Sequence, residues 1–160
     1  MTWTDFVVNA RAFATYYDEV PNLSGVRLRS VRLDGWDPTV TLRLDLPFPD
    51  RWEGPPGDAA QCQIQFYMVQ DFVMEGWRPP VTAEVSLRPL PEHRLAVHVT
   101  STGVDVAFTS NASLKAGRFS VFTQDADGGD SGPHHFSRPL ESKLYPTIPP
   151  MYVNTFYERV

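Results

Sequence analysis

The chain has 160 residues and a formal net charge of -5, with 42% hydrophobic and 21% charged residues. This length fits one domain with a core of ordinary size, and the composition is that of a folded globular protein rather than a disordered chain. The excess of acidic residues argues against binding to the phosphate backbone of a nucleic acid and favours a basic partner. We expect a monomer or a small homo-oligomer.

The sequence shows no membrane or targeting segment. No run approaches the roughly 20 apolar residues that a membrane-spanning helix needs. The first residues, Met1 to Asp5, lack the basic start and apolar core of a signal peptide. We therefore expect a cytoplasmic protein.

Cys62 is the only cysteine, which excludes an internal disulfide. It lies on the apolar face of a predicted strand, which favours a small buried hydrophobe over a nucleophile.

The chain begins with a predicted helix that ends before Pro21. Thr4 or Asp5 can cap this helix. Apolar residues follow at spacings that place them on one helical face: Phe6, Ala10, Phe13 and Tyr17. We expect this face to pack on a sheet.

Seven further segments alternate between apolar and polar residues with a period of two, which indicates half-buried strands. The clearest pair is a hairpin of Val26–Leu33 and Thr39–Leu46, whose loop contains Gly35 and Pro38. A change of parity near Ser30 indicates a bulge or burial on both sides. The remaining strands are predicted at Gln61–Met68, Val81–Leu87, Leu95–Val99, Val104–Phe108 and Phe119–Thr123. The run Val69–Met74 either extends the third strand or crosses between strands.

The third strand turns an uncharged polar row outward, formed by Gln61, Gln63, Gln65 and Tyr67. Most antiparallel sheets leave one face wet, so we interpret this row as solvent surface rather than a contact face.

The expected fold class is therefore α+β, with the N-terminal helix packed on a mainly antiparallel, curved β-sheet or open barrel. We place this domain at residues 1–123. Residues 124–160 are rich in proline and are predicted to form an irregular extension that packs on the domain or on a partner. Within the extension we expect Asp125–Gly132 to be the mobile part.

The sequence contains no motif that predicts a reaction centre. Asp125–Asp130 has the alternating aspartates of a calcium loop, but Gly129 and Phe136 stand where this loop needs ligands, so we interpret it as a solvated acidic loop. The histidines, including the adjacent His134 and His135, are interpreted as surface residues. We expect no catalytic residue, no metal and no cofactor.

Tryptophans in loops are the remaining candidates for a binding function. Trp36, Trp52 and Trp77 lie among glycine, proline and charged residues. Such a side chain either folds back into the core or anchors a partner, and we expect the first role for most of them. If one end of the sheet gathers two tryptophans beside the loop carboxylates, that end becomes an acidic, aromatic contact surface.

Several segments of the chain resemble the immunity protein 50 family, which is associated with bacterial polymorphic toxin systems. The segments are the helix ending in Tyr17, then Val20–Val26, Val31–Asp34, Pro38–Leu44 and Phe72–Trp77. The resemblance spans Phe6 to Thr123 and leaves the extension outside. It implies an α+β fold, no catalysis and the task of binding and neutralising a cognate toxin made by the same cell or its kin.

The charge pattern adds a candidate contact surface to this resemblance. If the toxin is a nuclease, its cleft should be basic, and acidic loops would steer association and mask the cleft. The candidate toxin-binding residues are Asp34, Trp36, Asp37, Asp50, Trp52 and Glu53. One alternative is a ligand-binding sheet or barrel whose aromatics line a pocket for an apolar small molecule. Another is a metal-dependent enzyme that uses Asp125–His135.

Overall fold

Nine antiparallel strands form one continuous sheet in the computed structural model, which describes residues 2–35, 38–78 and 81–137, with the backbone alone at 12 and 13. The strands are β1 (Val26–Asp34), β2 (Thr39–Leu46), β3 (Ala59–Phe66), β4 (Gln70–Glu75), β5 (Val81–Leu90), β6 (Arg94–Ser101), β7 (Val104–Asn111), β8 (Lys115–Phe122) and β9 (His134–Phe136). Their order across the sheet is β4-β7-β6-β5-β1-β2-β3-β8-β9. The predicted antiparallel sheet is confirmed.

The sheet folds back on itself, so that the apolar sides of its two halves pack against each other. The halves are joined where β1 pairs with β5 over Val26–Leu28 alone. Although β3 and β7 are far apart in the sheet, Phe66 on β3 contacts Phe108 on β7 with ring centroids 5.2 Å apart. Both rings belong to one apolar cluster that draws on β1–β3 and β5–β8, with Phe72 and Met74 of β4 packed against it. Each large side chain buried there contributes about 1.5–3 kcal/mol to stability.

The prediction of an α+β fold with an N-terminal helix packed on the sheet is wrong. The N-terminal segment contains only a 3-10 helix at Trp3–Phe6 and a single α-helical turn at Arg11–Ala14. Trp3, which the helical pattern did not include, enters the core with 6% of its surface exposed, and Val7 and Tyr17 of the same segment are buried there as well. Its indole donates a hydrogen bond to the Pro21 carbonyl at 2.8 Å.

Pairing with the sheet replaces the helix in the N-terminal segment. Val7 forms a β-bridge with Leu114, and the Asn9 side chain accepts a hydrogen bond from the Ala116 amide at 3.0 Å. A helix of about a dozen residues is marginal by itself, and Val and Asn are weak helix formers. Hydrogen bonds to the edge of β8 therefore outweigh the helical periodicity.

The irregularity in β1 and the strand β4 correspond to two features of the sequence pattern. The expected irregularity near Ser30 is confirmed, because the register of β1 against β2 shifts between Leu28 and Ser30. The run that the sequence left open forms the separate strand β4, which lies at one end of the strand order beside β7. The register of β4 shifts near Asp71, whose φ is 55°.

The described part of the C-terminal extension adds a strand to the sheet, since His134–Phe136 pairs with Ser120–Phe122 of β8. The predicted boundary after Thr123 stays a prediction, and residues 138–160 lie outside the described residues. Within the described ranges, no helix has the length and apolar character needed to cross a membrane.

Candidate functional site

The structure divides the predicted toxin-binding residues between the two ends of β2. Asp34 pairs with Thr39 at the start of β2, whereas Asp50 follows Leu46 at its end. Eight residues of strand span about 23 Å. Asp50, Trp52 and Glu53 therefore share one end of the sheet, and the exposed Asp34 lies at the other. Trp36 and Asp37 lie outside the described residues.

Arg51 fixes the loop of residues 47–58 against the segment that precedes β1. Its guanidinium donates hydrogen bonds to the carbonyls of Thr15 at 3.0 Å and Tyr17 at 2.9 Å, and it forms an ion pair with Asp18. In return, the Asp18 amide donates to Asp50 Oδ2 at 2.8 Å. These contacts tie the backbone between Asp50 and Trp52 to the N-terminal segment.

Trp52 packs in an aromatic cluster beside this anchor. Its ring centroid lies 5.7 Å from that of Tyr16 and 6.2 Å from that of Phe119, and Tyr16 stacks on Phe119 at 4.9 Å. The indole donates a hydrogen bond to the Pro55 carbonyl at 2.8 Å. The side chain is half-buried, so Trp52 packs on the domain and keeps part of its ring open to solvent.

Gly54 lies directly against the Trp52 ring. A Cβ at this position would stand 2.7 Å from the indole Cζ2, which is closer than such contacts occur in proteins. The small residue therefore lets the loop close over the ring.

A cavity of about 630 Å³ opens beside Trp52. It is lined by Thr15, Tyr16, Arg51, Trp52, Glu53, Gly54, Pro55, His135, Phe136 and Ser137. The cavity therefore joins the rigid loop 47–58, the N-terminal segment and β9, which are distant in the sequence.

A second cavity of about 630 Å³ lies near the same end of β2 and is more polar. Its wall includes the carboxylates of Glu19, Asp45 and Asp58 together with Arg27. The Arg27 guanidinium donates to the Gly128 carbonyl at 2.9 Å, so it ties the acidic loop 125–130 to β1.

The outer side of β1–β3 is polar and buried, which corrects the interpretation of the glutamine row as solvent surface. Gln61 and Gln63 have no exposed area, and Thr41 has 3%. The outer side of β5, by contrast, exposes Thr82 and Glu84 to solvent as an antiparallel sheet usually does. Alternation in the sequence distinguishes two faces of a strand, but it does not tell whether the polar face is covered.

A charge network occupies this buried polar face. Arg29 donates through Nη2 and Nε to the Asp45 carboxylate at 2.6 and 3.1 Å, and their side chains are only 5% and 11% exposed. Asp130 accepts a hydrogen bond from Gln61 Nε2 at 2.9 Å and lies 3.7 Å from Arg43. Burial alone would raise the pKa of Asp130, but the Gln61 hydrogen bond and the arginine charges hold it below its usual value.

His134 completes the network and is not the surface residue that the sequence predicted. It is 2% exposed and stacks on Phe122 with ring centroids 4.5 Å apart. Nε2 lies 2.9 Å from the Asp130 carbonyl and donates to it, which leaves Nδ1 to accept from the Ser120 hydroxyl at 2.9 Å. Burial, assisted by the arginine charges, lowers the pKa of His134 to about 4, so the ring is neutral at neutral pH.

The acidic loop Asp125–Asp130 is therefore only partly a solvated loop. Asp125 and Asp127 satisfy the loop's own donors, with Ser131 Oγ donating to Asp125 at 2.7 Å and the Gly129 amide to Asp127 at 3.0 Å. Asp130 turns inward to the arginines. In the described ranges, no group of three or more metal-ligating side chains is gathered in one place.

Two groups that could act as nucleophiles lie in apolar surroundings. The Cys62 thiol is fully buried on the core side of β3, and burial raises its pKa. Burial also raises the pKa of Tyr17, whose hydroxyl donates to the Pro47 carbonyl at 2.6 Å. Both side chains act as packing elements, which agrees with the interpretation of Cys62 as a small buried hydrophobe.

Comparisons of the chain with protein-family models, with curated proteins and with solved structures gave no match.

Proposed function

We propose that the protein is a cytoplasmic immunity protein that binds and neutralises a cognate bacterial toxin domain through the loop 47–58. The observation that carries this proposal is the anchored loop itself, which presents the exposed Asp50 and Glu53 on either side of the half-buried Trp52. The family resemblance of the sequence supplies the biological role.

The rigidity of the loop suits it to binding a protein. A surface that is ordered before binding loses little conformational entropy on association. Here Arg51 fixes the backbone, and the close approach of Gly54 fixes the Trp52 ring. A tryptophan that is half-buried and held beside charged residues has the properties of an interface anchor.

The charge of the loop suits it to a basic partner. Asp50, Glu53 and Asp58 are exposed carboxylates of this segment, and its single cation, Arg51, is paired with Asp18. Carboxylates at the rim of an interface speed association with a positively charged cleft, and salt weakens the effect. A toxin that acts on nucleic acid would present such a cleft.

The experiment is co-expression of this chain with any toxin domain found in the neighbouring reading frames, followed by growth rescue and a pull-down. We expect rescue by the wild type and a slower association rate for Glu53→Lys, with the difference shrinking as salt rises. Glu75→Lys, on the distant strand β4, is the matched control and should bind like the wild type. Absence of both rescue and binding would contradict the immunity role. A Glu53→Lys variant with unchanged, salt-independent kinetics would contradict the electrostatic part alone.

Asp34→Lys distinguishes the two ends of the sheet. Because Asp34 lies about 23 Å along β2 from the loop 47–58, a toxin seated on that loop should tolerate the change. A larger effect from Asp34→Lys than from Glu53→Lys would move the interface to the hairpin between β1 and β2.

The aromatic cavity beside Trp52 favours one second candidate, a binding protein for an apolar small molecule. Its volume of about 630 Å³ falls in the range of ligand pockets. Titration of the intrinsic tryptophan fluorescence with a panel of hydrophobic ligands separates the two functions. Saturable quenching that disappears in Trp52→Leu supports the small-molecule function, and its absence supports the immunity function.

A further inference from the structure

We propose that the cavity beside Trp52 receives an arginine side chain of the protein partner. The inference rests on the proposed function, since it assigns chemistry to the surface that would meet the toxin. It follows from the aromatic lining of the cavity, from the charges around it and from the hydrogen bonds that already occupy the guanidinium of Arg51.

Three aromatic side chains contribute to the cavity wall. Tyr16 and Trp52 are inclined by 53° with centroids 5.7 Å apart, and Phe136 contributes a third ring to the lining. Aromatic faces carry negative electrostatic potential, and they attract cations that lie within about 6 Å. Among protein side chains, the planar guanidinium stacks on such faces best.

The charges around the cavity select a cation over an anion or a neutral aromatic group. Glu53 lines the cavity, and it pairs with no cation in the described part of the chain. Arg51 also lines it, but its Nε and Nη2 donate to backbone carbonyls and Nη1 pairs with Asp18. Because Asp18 pairs with Arg51 and Asp50 lies at the Asp18 amide, Glu53 is left in the cavity wall as a negative charge without a counter-charge in the described ranges.

The position of Glu53 adds directionality. A guanidinium stacked on the rings turns its N–H edge toward the cavity rim, where a carboxylate can accept two parallel hydrogen bonds. A lysine ammonium would be attracted by the same charge, but it has no flat face to stack and gives up a stronger hydration shell. An arginine should therefore bind more tightly than a lysine in the same peptide.

The test is a solution NMR titration of the full chain with three peptides, Ac-Gly-Arg-Gly-NH2, its lysine counterpart and its citrulline counterpart. Citrulline keeps the planar shape and removes the charge. We expect saturable shifts of the Trp52 indole N–H and of the backbone amides of Glu53 and Gly54 with the arginine peptide, with a Kd in the millimolar range; the amide shifts give the Kd of variants that lack the indole. Lysine should bind more weakly, and citrulline should give no saturable shift.

Variants then assign the site. Trp52→Leu should weaken arginine binding by roughly three- to thirtyfold, the range that a cation–π contact contributes, and Glu53→Gln should weaken it by a smaller factor. Glu75→Gln, at the end of β4, and Trp77→Leu, just after that strand, are matched controls, and neither should change the Kd. The amide spectrum of each variant verifies that the fold is kept.

Three results would overturn the inference. Equal shifts from the arginine and citrulline peptides would show that charge is not recognised. Binding that survives both Trp52→Leu and Glu53→Gln would place the arginine elsewhere. Displacement of the arginine peptide by an apolar ligand of higher affinity would make the cavity a small-molecule site. Because the titration needs no toxin, its failure is distinguishable from a failure of the co-expression experiment.

Discussion

Removal of the Asp45 carboxylate should destabilise the protein far more than removal of an exposed carboxylate. Asp45→Asn leaves Arg29 with 5% of its side chain exposed and without its bidentate partner. Breaking a buried ion pair from one side costs about 3–5 kcal/mol. Asp130 still lies 4.0 Å from Arg29 and partly compensates its charge. We therefore expect a loss of unfolding free energy at the lower end of this range, about 3 kcal/mol.

The assay is urea denaturation at neutral pH, followed by circular dichroism. With a slope of about 2 kcal/mol per molar urea, a loss of about 3 kcal/mol lowers the midpoint by about 1.5 M. The matched control is Asp105→Asn, which removes the exposed pair with His98, whose side chains are 50% and 54% exposed. Such a pair contributes about 0.5 kcal/mol, so the midpoint should fall by about 0.25 M.

The double variant Arg29→Met/Asp45→Leu tests whether the loss of stability in Asp45→Asn comes from the buried Arg29 charge that is left without its partner. It removes both charges at once, and replacing a buried pair by apolar residues is often neutral or stabilising. The double variant should therefore be more stable than Asp45→Asn. Equal midpoint shifts for Asp45→Asn and Asp105→Asn would refute the view that the outer face of β1–β3 depends on a buried ion pair.

Three further predictions concern the stability of the protein, and the urea assay tests each of them. The pKa of His134 falls from 6.5 to about 4 on folding, so the unfolded chain binds the extra proton and stability should drop as pH falls from 6.5 to 4. His134→Asn should flatten this part of a pH series of urea midpoints. Gly76→Ala should lower the free energy of unfolding by at least about 2 kcal/mol, because φ is +74° and a Cβ would collide with the Gly103 carbonyl. The control is Gly35→Ala, which has open space around it and should lose well under half of that in the same urea assay. The buried Gln63 amide meets no hydrogen-bond partner in the described structure, and such a group lowers the free energy of unfolding by about 1–3 kcal/mol. Gln63→Met should therefore raise the urea midpoint. A lower midpoint would show that the amide has a hydrogen-bond partner.

The sequence predicted seven of the nine described strands, because each of them carries a local two-residue period; β4 was left open, and β9 lies in the extension that was predicted to be irregular. The bulge at Ser30 was visible for the same reason, as a local change of parity. The failed helix shows the limit of local periodicity. Four apolar residues at helical spacing describe a helix face well, yet the bridge from Val7 to Leu114 crosses more than half of the chain, and no local pattern announces it.

The division of the candidate site could have been found in the sequence. Asp34 and Asp50 flank the same strand, so an eight-residue β2 already places them at opposite ends. The surroundings of His134 could not have been found in this way. Its neutrality depends on Ser120, Phe122 and the two arginines, which lie on three different strands and meet only in the folded sheet.

The irregular strand β4 has a consequence for how copies of this chain behave at high concentration. A regular strand at the end of a sheet order presents unpaired amides and carbonyls, which can template a strand of another molecule. In β4 the left-handed conformation of Asp71 interrupts the ladder, and the carboxylates of Asp71 and Glu75 border the exposed Val73. A second copy that approached this strand in register would meet like charges and a kinked backbone, so β4 is a poor seed for edge-to-edge aggregation.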